Sequence, residues 1–460
     1  MISQGLIQEL QQILGREQVM VSEADRLTYA YDAAVLEPVL PALVVRPRSP
    51  EDLGRVVRLC NDHGLPLTVR GAGTNLSGGT IPHTGGVVVL TNALNQILEI
   101  NEADQYAVVQ PGVVTAKLAA AVEAKGLFYP PDPGSMAVST LGGNVAENAG
   151  GLRGLKYGVT LDYVMGLEFF AAAGDLVKTG SRTVKCVTGY NLTGLLVGSE
   201  GTLGVISEII LKLIPLPQDR RAMLATFDRV DQASETVAAI ISHRIVPATL
   251  EFLDNFTIRT VEDYSHVGLP VDAAALLLIE VDGHPAVVAE EAEQVEALCR
   301  KLGATQVHTA QDAAERDRVW AARRAALSAL AKLKPTVVLE DATVPRSQVP
   351  AMIRAIEEIG RKFELPIGTF GHAGDGNLHP TILTDRRNQE EWHRVEAAVA
   401  AIFDVALALG GTLSGEHGIG KAKARFLEKE VGPGTIRYSK RIKAALDPKN
   451  ILNPGQSIGE

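Results

Sequence analysis

The sequence predicts an α+β protein with an amino-terminal domain in two subdomains and an α+β cap. Three observations carry that expectation. Strand and helix candidates mix through residues 43–213 and are broken by four loops dense in glycine and other small residues. Leu213-Ile-Pro-Leu-Pro-Gln218 is a proline-rich break at which the texture changes. Beyond it, strand–helix pairs recur in the order expected when helices cover one face of an antiparallel sheet. The expected domains are residues 1–218, a cap over 219–410 and a closing segment, 411–460.

Taken in order, Leu6, Ile7, Leu10, Ile13 and Leu14 recur at helical spacing, which predicts a helix over residues 3–14. Leu43–Val45 reads as a strand, and Pro50–Asp62 as a helix with Leu53, Val56, Val57 and Cys60 on one side. The strand Leu65–Val69 runs into RGAGTNLSGG, Arg70 to Gly79. Glycines there let backbone N–H groups approach an anion with no Cβ in the way. It is not the dinucleotide fingerprint, because Leu76 stands where the third glycine would be. Gly85–Leu90 and Tyr106–Val109 read as strands and Thr115–Lys125 as a helix. The stiff loop from Tyr129 through PPDPGS to Ser135 follows, then TLGGNVAENAGG from Thr140. After strands at 166–172 and 175–179 come GSEGTLG, Gly198 to Gly204, and a β-rich exit to Leu213. Four such loops imply one extended polar ligand threaded between subdomains.

In the cap, Ala222–Phe227 and Ala274–Val281 read as strands, Val230–Ser242 and Ala286–Leu302 as helices. A long helix over 312–333 carries Trp320, Arg323 and Arg324. Val337–Leu339 and Asp341–Val344 are extended, Val349–Phe363 and Gln389–Leu409 helical.

Composition excludes several classes. Hydrophobic residues at 46% and charged residues at 21% describe a globular protein. A net charge of −10 with no basic stripe argues against nucleic acid. Cys60, Cys186 and Cys299 are odd in number and far apart, which suits a reducing compartment and excludes a cysteine metal cage. The amino terminus lacks a signal peptide's layout, and no apolar run approaches a membrane span. The expected location is cytoplasmic, with any membrane association peripheral and through a partner.

The chemistry concentrates in GHAGDGNLHP, Gly371 to Pro380, and SGEHGIGK, Ser414 to Lys421. If Gly374–Asn377 forms a hairpin loop, His372 faces His379 across the strands, which suits two imidazoles sharing a cation. Glu416 and His417 add a carboxylate and a third histidine. Two histidines and a carboxylate make an open divalent site with one histidine left for proton transfer. Gly415–Lys421 mimics a P-loop, but Ala422 replaces the hydroxyl residue that magnesium needs. Asp375 and Asn377 read as turn formers.

These motifs, in this order and spacing, resemble flavin-binding proteins of the vanillyl-alcohol-oxidase type over roughly residues 20–456. GHAGDGNLHP and SGEHGIGK are similar to motifs of its FAD-linked D-2-hydroxy-acid dehydrogenase branch. That branch includes the glycolate-oxidase flavin subunit, D-lactate dehydrogenases and D-2-hydroxyglutarate dehydrogenase. The resemblance implies that Arg70, Gly71, Ala72, Gly73, Thr74, Asn75, Ser77 and Gly78 wrap the FAD pyrophosphate. Pro131, Asp132, Gly134, Ser135, Thr140, Gly142, Gly143, Asn144 and Asn148 would line the dinucleotide and ring. Glu200 and Ile206 would lie near the adenine half, and Asn453 would return the closing segment to the FAD domain, completing the active site. His372, His379 and Glu416 match the metal ligands, His417 the base, and Arg323 the arginine that holds the substrate carboxylate.

Two departures refine the expectation. Thr74 stands where covalently flavinylated relatives carry histidine, so FAD is expected to be non-covalent. Leu339 stands near a lysine of the hydroxyglutarate enzymes, which favours glycolate or D-lactate. Zinc, manganese and iron(II) all suit the ligand set. The flavin's electron acceptor would be a quinone, a cytochrome or an iron–sulfur partner subunit. Alternative expectations are a non-catalytic or partner-dependent flavin subunit of a larger oxidoreductase complex, or a flavin oxidase of another alcohol.

Overall fold

A computed structural model describes residues 2–458, and the chain divides into two compact units. One comprises Met1–Gly150, Val159–Leu216 and Glu416–Glu460; the other comprises Gly151–Gly158 and Pro217–Gly415. The short excursion Gly151–Gly158 therefore packs with residues of the expected cap. Lys156 Nζ donates to Asp282 Oδ1 at 2.6 Å and Tyr157 Oη to Asp282 Oδ2 at 2.7 Å, which fixes it there.

Among the described residues, the first unit holds a four-stranded and a five-stranded sheet. In the smaller sheet Leu43–Val45, Val87–Leu90 and Leu67–Arg70 run parallel. The helix Pro50–Asp62 shows why local chemistry sets its bounds. Ser49 Oγ accepts from Asp52 N at 3.1 Å, Pro50 occupies the first turn, and the pattern of apolar residues buries Leu53, Val56, Val57 and Cys60. Leu6, Leu10 and Leu14 of the first helix join the same core, as do Ile451 and Leu452. The closing segment docks by backbone pairing: Leu67 N donates to Ile451 O at 2.7 Å and Asn453 N to Leu67 O at 2.8 Å. The larger sheet orders Ile97–Asn101, Tyr106–Val109, Val205–Lys212, Val164–Phe170 and Leu176–Gly180, all antiparallel.

The second unit is organised by one antiparallel sheet. Its order among the described residues is Ala304–Thr309, Asp219–Phe227, Ala275–Gly283, Thr249–Asp254, Ile367–His372, Asn377–Thr384 and Thr336–Leu339. Ala342–Thr343 pairs beside the last of these on Asn377–Thr384. The helices Asn255–Ser265 and Ala313–Ala331 bury Ile258, Val261, Trp320 and Ala326 with Leu253, Leu276, Leu278 and Phe370 of the sheet. Fully burying each such leucine or phenylalanine stabilises by roughly 1.5–3 kcal/mol. Among the described residues no helix is long and apolar enough to cross a membrane.

Candidate functional site

In the first unit the glycine loops are held by a framework of buried polar side chains. Arg70, itself buried, donates to Tyr31 O at 2.6 Å and to Thr80 Oγ1 at 3.2 Å. Asn75 Nδ2 donates to Asp32 Oδ2 at 2.7 Å, and Ser77 Oγ to Glu147 Oε1 at 3.0 Å. Asp32 and Glu147 thus organise the Arg70–Gly79 loop, and neither was found by reading motifs. Burial, with Glu200 as a like-charged neighbour, raises the Glu147 carboxyl well above the ordinary range.

The other residues expected to meet the flavin are distributed over several elements of this unit. A cavity of about 460 Å³ is lined by Arg70, Gly71, Ala72, Gly112, Lys117 and Thr140, among others. Thr140 Oγ1 is buried and has no hydrogen-bond partner, and a Cβ on Gly71 would lie only 2.1 Å from it. Gly73 and Gly78 have φ of 72° and 79°, which L side chains rarely adopt. Gly142, Gly143 and Asn144 lie on the helix Leu141–Glu147, where Asn144 Nδ2 donates to Thr115 Oγ1 at 2.8 Å. Asn148 ends that helix in the left-handed region and accepts from Leu161 N at 2.9 Å. Pro131 and Asp132 are buried in the stiff loop that also holds Gly134 and Ser135, and Ile206 lies in the strand Val205–Lys212. Thr74 sits in the glycine loop, half-buried. An orphaned hydroxyl, close backbone and a basic lining suit a dinucleotide diphosphate.

Glu200 and Asn453 are used differently from a simple lining. Glu200 accepts from Ile419 N and Gly420 N, both at 2.7 Å, and burial raises its carboxyl above the ordinary range. Asn453 Nδ2 donates to Gly79 O at 2.9 Å and Glu200 O at 2.8 Å, while its Oδ1 accepts from Thr68 at 3.0 Å. Both residues pin one loop to another. In the same unit His417 Nε2 lies 3.7 Å from Glu416 Oε1, and Ala422 N donates to Ser77 O at 3.0 Å.

In the second unit the histidine hairpin forms, with a register that differs from the sequence expectation. The pairs are His372 with Asn377, Gly371 with Leu378 and Phe370 with His379, so the loop is Ala373–Gly376. The reason is a further strand: Thr343 pairs with Asn377 and Ala342 with Leu378, and Val344 N donates to Gly376 O at 3.1 Å. That pairing draws Asn377 out of the turn and into the sheet. The strands slide by two residues, which preserves the faces. His372 and His379 are therefore diagonal neighbours on one face, with ring centroids 5.1 Å apart and near-perpendicular planes. Both are buried.

Glu251, in the neighbouring strand, ties the histidine to the arginine. Its Oε1 accepts from His372 Nδ1 at 2.6 Å and its Oε2 from Arg323 Nε at 2.6 Å. Burial pushes the Glu251 carboxyl up, but the adjacent His372 and Arg323 outweigh it and hold the group below its ordinary value. An ionised carboxylate on Nδ1 fixes the imidazole tautomer with its lone pair on Nε2. The Arg323 guanidinium also stacks 4.6 Å over the Phe370 ring. Ser414 Oγ donates to Asp341 Oδ2 at 2.5 Å, and a Cβ on Gly415 would lie 2.3 Å from Thr343 Oγ1 and 2.8 Å from Asn377 Nδ2. Sequence reading missed Glu251, whose one signal was an acid inside the apolar run Leu250–Leu253.

A family model described as FAD linked oxidases, C-terminal domain, matches residues 216–457, and one described as FAD binding domain matches residues 41–180. The chain is 52% identical over 460 residues to glycolate oxidase subunit GlcD of Bacillus subtilis, covering 100% of this chain and 98% of that one. It is 39% identical over 441 residues to the subunit of the same name in Escherichia coli K12, covering 96% and 88%. A D-lactate dehydrogenase of Anaerostipes hadrus is 33% identical over 468 residues, covering 99% and 97%. A solved structure of p-cresol methylhydroxylase with substrate bound superposes with a TM-score of 0.83 at 19% identity, covering 100% and 98%. A 4-ethylphenol oxidase from Gulosibacter chungangensis gives 0.81 at 19% identity, covering 99% and 96%. These two share the fold, an FAD-binding domain of the vanillyl-alcohol-oxidase type.

Proposed function

The chain belongs to the FAD-linked oxidases, and from that premise we propose that it oxidises a small D-2-hydroxy acid, glycolate or D-lactate, to the 2-oxo acid. The observation that carries this reading is the carboxylate of Glu251 joining Arg323 to a buried histidine pair. It supports a reading in which Arg323 receives the substrate carboxylate and the nearby histidines act on the neighbouring hydroxyl.

In this reading the substrate loses a proton from oxygen and a hydride from C2. Arg323 binds the carboxylate through Nη1 and Nη2, since its Nε is taken by Glu251. That fixes C2 and restricts the reacting geometry. His417 accepts the hydroxyl proton on an imidazole whose free pKa is ~6.5, suited to neutral pH. His372, His379 and Glu416 hold a divalent cation, zinc, manganese or iron(II), which would supply Lewis acidity toward the hydroxyl oxygen. The Nε2 lone pair of His372 suits that ligation, as does the burial of both histidines. FAD, bound without a covalent link at the Arg70–Gly79 loop, would supply the hydride acceptor. Leu339 packs against the core that includes Trp320 and Phe370, which offers nothing to a second carboxylate.

Two of the relatives are named subunits, which supports a partner-dependent enzyme passing electrons to another chain. The test is an anaerobic absorbance spectrum before and after glycolate, D-lactate and D-malate. Bleaching by glycolate or D-lactate is expected, with D-malate weaker. His417→Ala is expected to lower the bleaching rate by about 10²–10⁴-fold with the yellow cofactor retained. A yellow protein that no hydroxy acid bleaches would favour a non-catalytic flavin subunit. Bleaching by another alcohol, with turnover on oxygen, would favour a flavin oxidase.

A further inference from the structure

Resting on the metal and carboxylate roles proposed above, we infer that Glu251 is a positioning residue shared by His372 and Arg323. Cation affinity at the histidine pair and carboxylate affinity at Arg323 then depend on one side chain.

The geometry leaves Glu251 little freedom. It lies within the strand Thr249–Asp254, paired with Leu278 on one side, while Phe252 and Leu253 pair with Gly371 and Phe370 on the other. Its side chain is fully buried, and each oxygen serves a different partner at 2.6 Å. A rotation that improves one bond lengthens the other. Arg323 is also held from its own helix: Trp320, three residues earlier, donates from Nε1 to Glu280 Oε2 at 2.8 Å. The guanidinium rests on Phe370, two residues before His372. Helix Ala313–Ala331 and the strand bearing the first histidine thus meet through one carboxylate.

Stability alone is a poor account of such an arrangement. Buried ion pairs are often close to neutral against apolar replacements of similar volume, because desolvation offsets attraction. A carboxylate serving only to neutralise Arg323 needs one partner, whereas this one has two. A carboxylate on the second nitrogen of a ligating histidine fixes the tautomer and raises its basicity. With Arg323 Nε bonded to Glu251, Nη1 and Nη2 are the donors that would serve a ligand carboxylate. Binding at either end should therefore favour binding at the other, reciprocally.

The experiment uses FAD-loaded protein stripped of metal by a chelator and titrated with zinc alone in a calorimeter. Glu251→Gln is expected to weaken zinc binding about 10–100-fold. It should also raise the KM for D-lactate by about tenfold or more, since typical coupling between sites spans about 5–150-fold. Flavin content should not change. Arg323→Lys, which cannot reproduce the Nε bond, is expected to weaken zinc binding about fivefold or more through Glu251. A carboxylate with only a structural role would lower the melting temperature and leave zinc affinity unmoved. If the wild-type protein takes up no zinc, the metal reading itself fails. If it does, and Glu251→Gln binds zinc as tightly, only the role of Glu251 is overturned. Should Glu251→Gln fail to hold flavin, unchanged zinc affinity in Arg323→Lys overturns the sharing.

Discussion

The two units prepare their chemistry by opposite means. In the first, the groups on offer are mainly backbone N–H and small hydroxyls, and glycines clear the approach. Gly142 illustrates this: a Cβ there would lie 2.5 Å from Pro111 Cβ and 3.0 Å from its carbonyl oxygen. In the second, strand and helix side chains carry charge, and the central ones are fixed by charged partners, as Glu251 fixes His372 and Arg323. The difference teaches what each unit cannot tolerate. One is damaged by an added methyl group, the other by a lost charge.

That contrast can be broken by experiment. The largest effect is expected from chelation, because a Lewis acid supplies several kcal/mol to the reaction. Activity should fall by about 10³-fold and return with zinc or manganese, while the flavin spectrum stays unchanged. Next is Arg323→Ala, which removes two charge-assisted bonds to the substrate carboxylate at ~1.5–3 kcal/mol each. At the lower end of that range it is expected to lower kcat/KM by about 10²-fold, with FAD retained. Gly142→Ala should show the reverse pattern. Overpacking against Pro111 costs about 1–3 kcal/mol, expected as weaker FAD binding, with the kcat of the fully loaded enzyme nearly unchanged. If Gly142→Ala leaves FAD affinity intact while Arg323→Ala bleaches the protein, the division of labour is wrong.

Legibility in the sequence followed whether a signal was local. The helix Pro50–Asp62 was readable to its ends because its cap, its proline and its apolar stripe all lie within it or next to it in the chain. The four small-residue loops were readable because glycine density is itself the device. The hairpin register was not, since Thr343, far along the chain, recruits Asn377 into the sheet. The helix Ala424–Leu446 was missed because Gly432 and Pro433 break it, with Gly432 at φ 74°. Strand Ala304–Thr309 pairs only at the sheet edge and lacks an apolar run. Glu251 escaped because its meaning lies in two partners at sequence separations of 72 and 121.

The smallest predicted effect sharpens the comparison within a single strand. Asp254 lies three residues after Glu251 and is half-buried with its carboxyl turned inward, but its partners are neutral: backbone N–H groups and the Thr257 side chain. Its Oδ1 accepts from Thr257 N at 2.8 Å, capping the helix Asn255–Ser265, and its Oδ2 from Thr369 N at 2.7 Å. With no cation against it, burial dominates and pushes the carboxyl up to about 6, from an ordinary 3.8. The sign is opposite to that of Glu251. A raised folded value means the folded state binds more protons, so stability falls as pH rises from about 4 to about 6 and is flat above. Asp254→Asn keeps one acceptor and turns an amide N–H toward Thr369 N, at a cost of about 1 kcal/mol at pH 8. On acidification from pH 7 to 5 the wild type should gain on this variant, by at most ~1.4 kcal/mol per pH unit. Thermal unfolding of both proteins at pH 8, 7 and 5 measures the difference. A wild type that instead loses ground at pH 5 would mean that neutral hydrogen-bond donors suffice to keep such a carboxylate ionised, and the cations beside Glu251 would no longer set it apart.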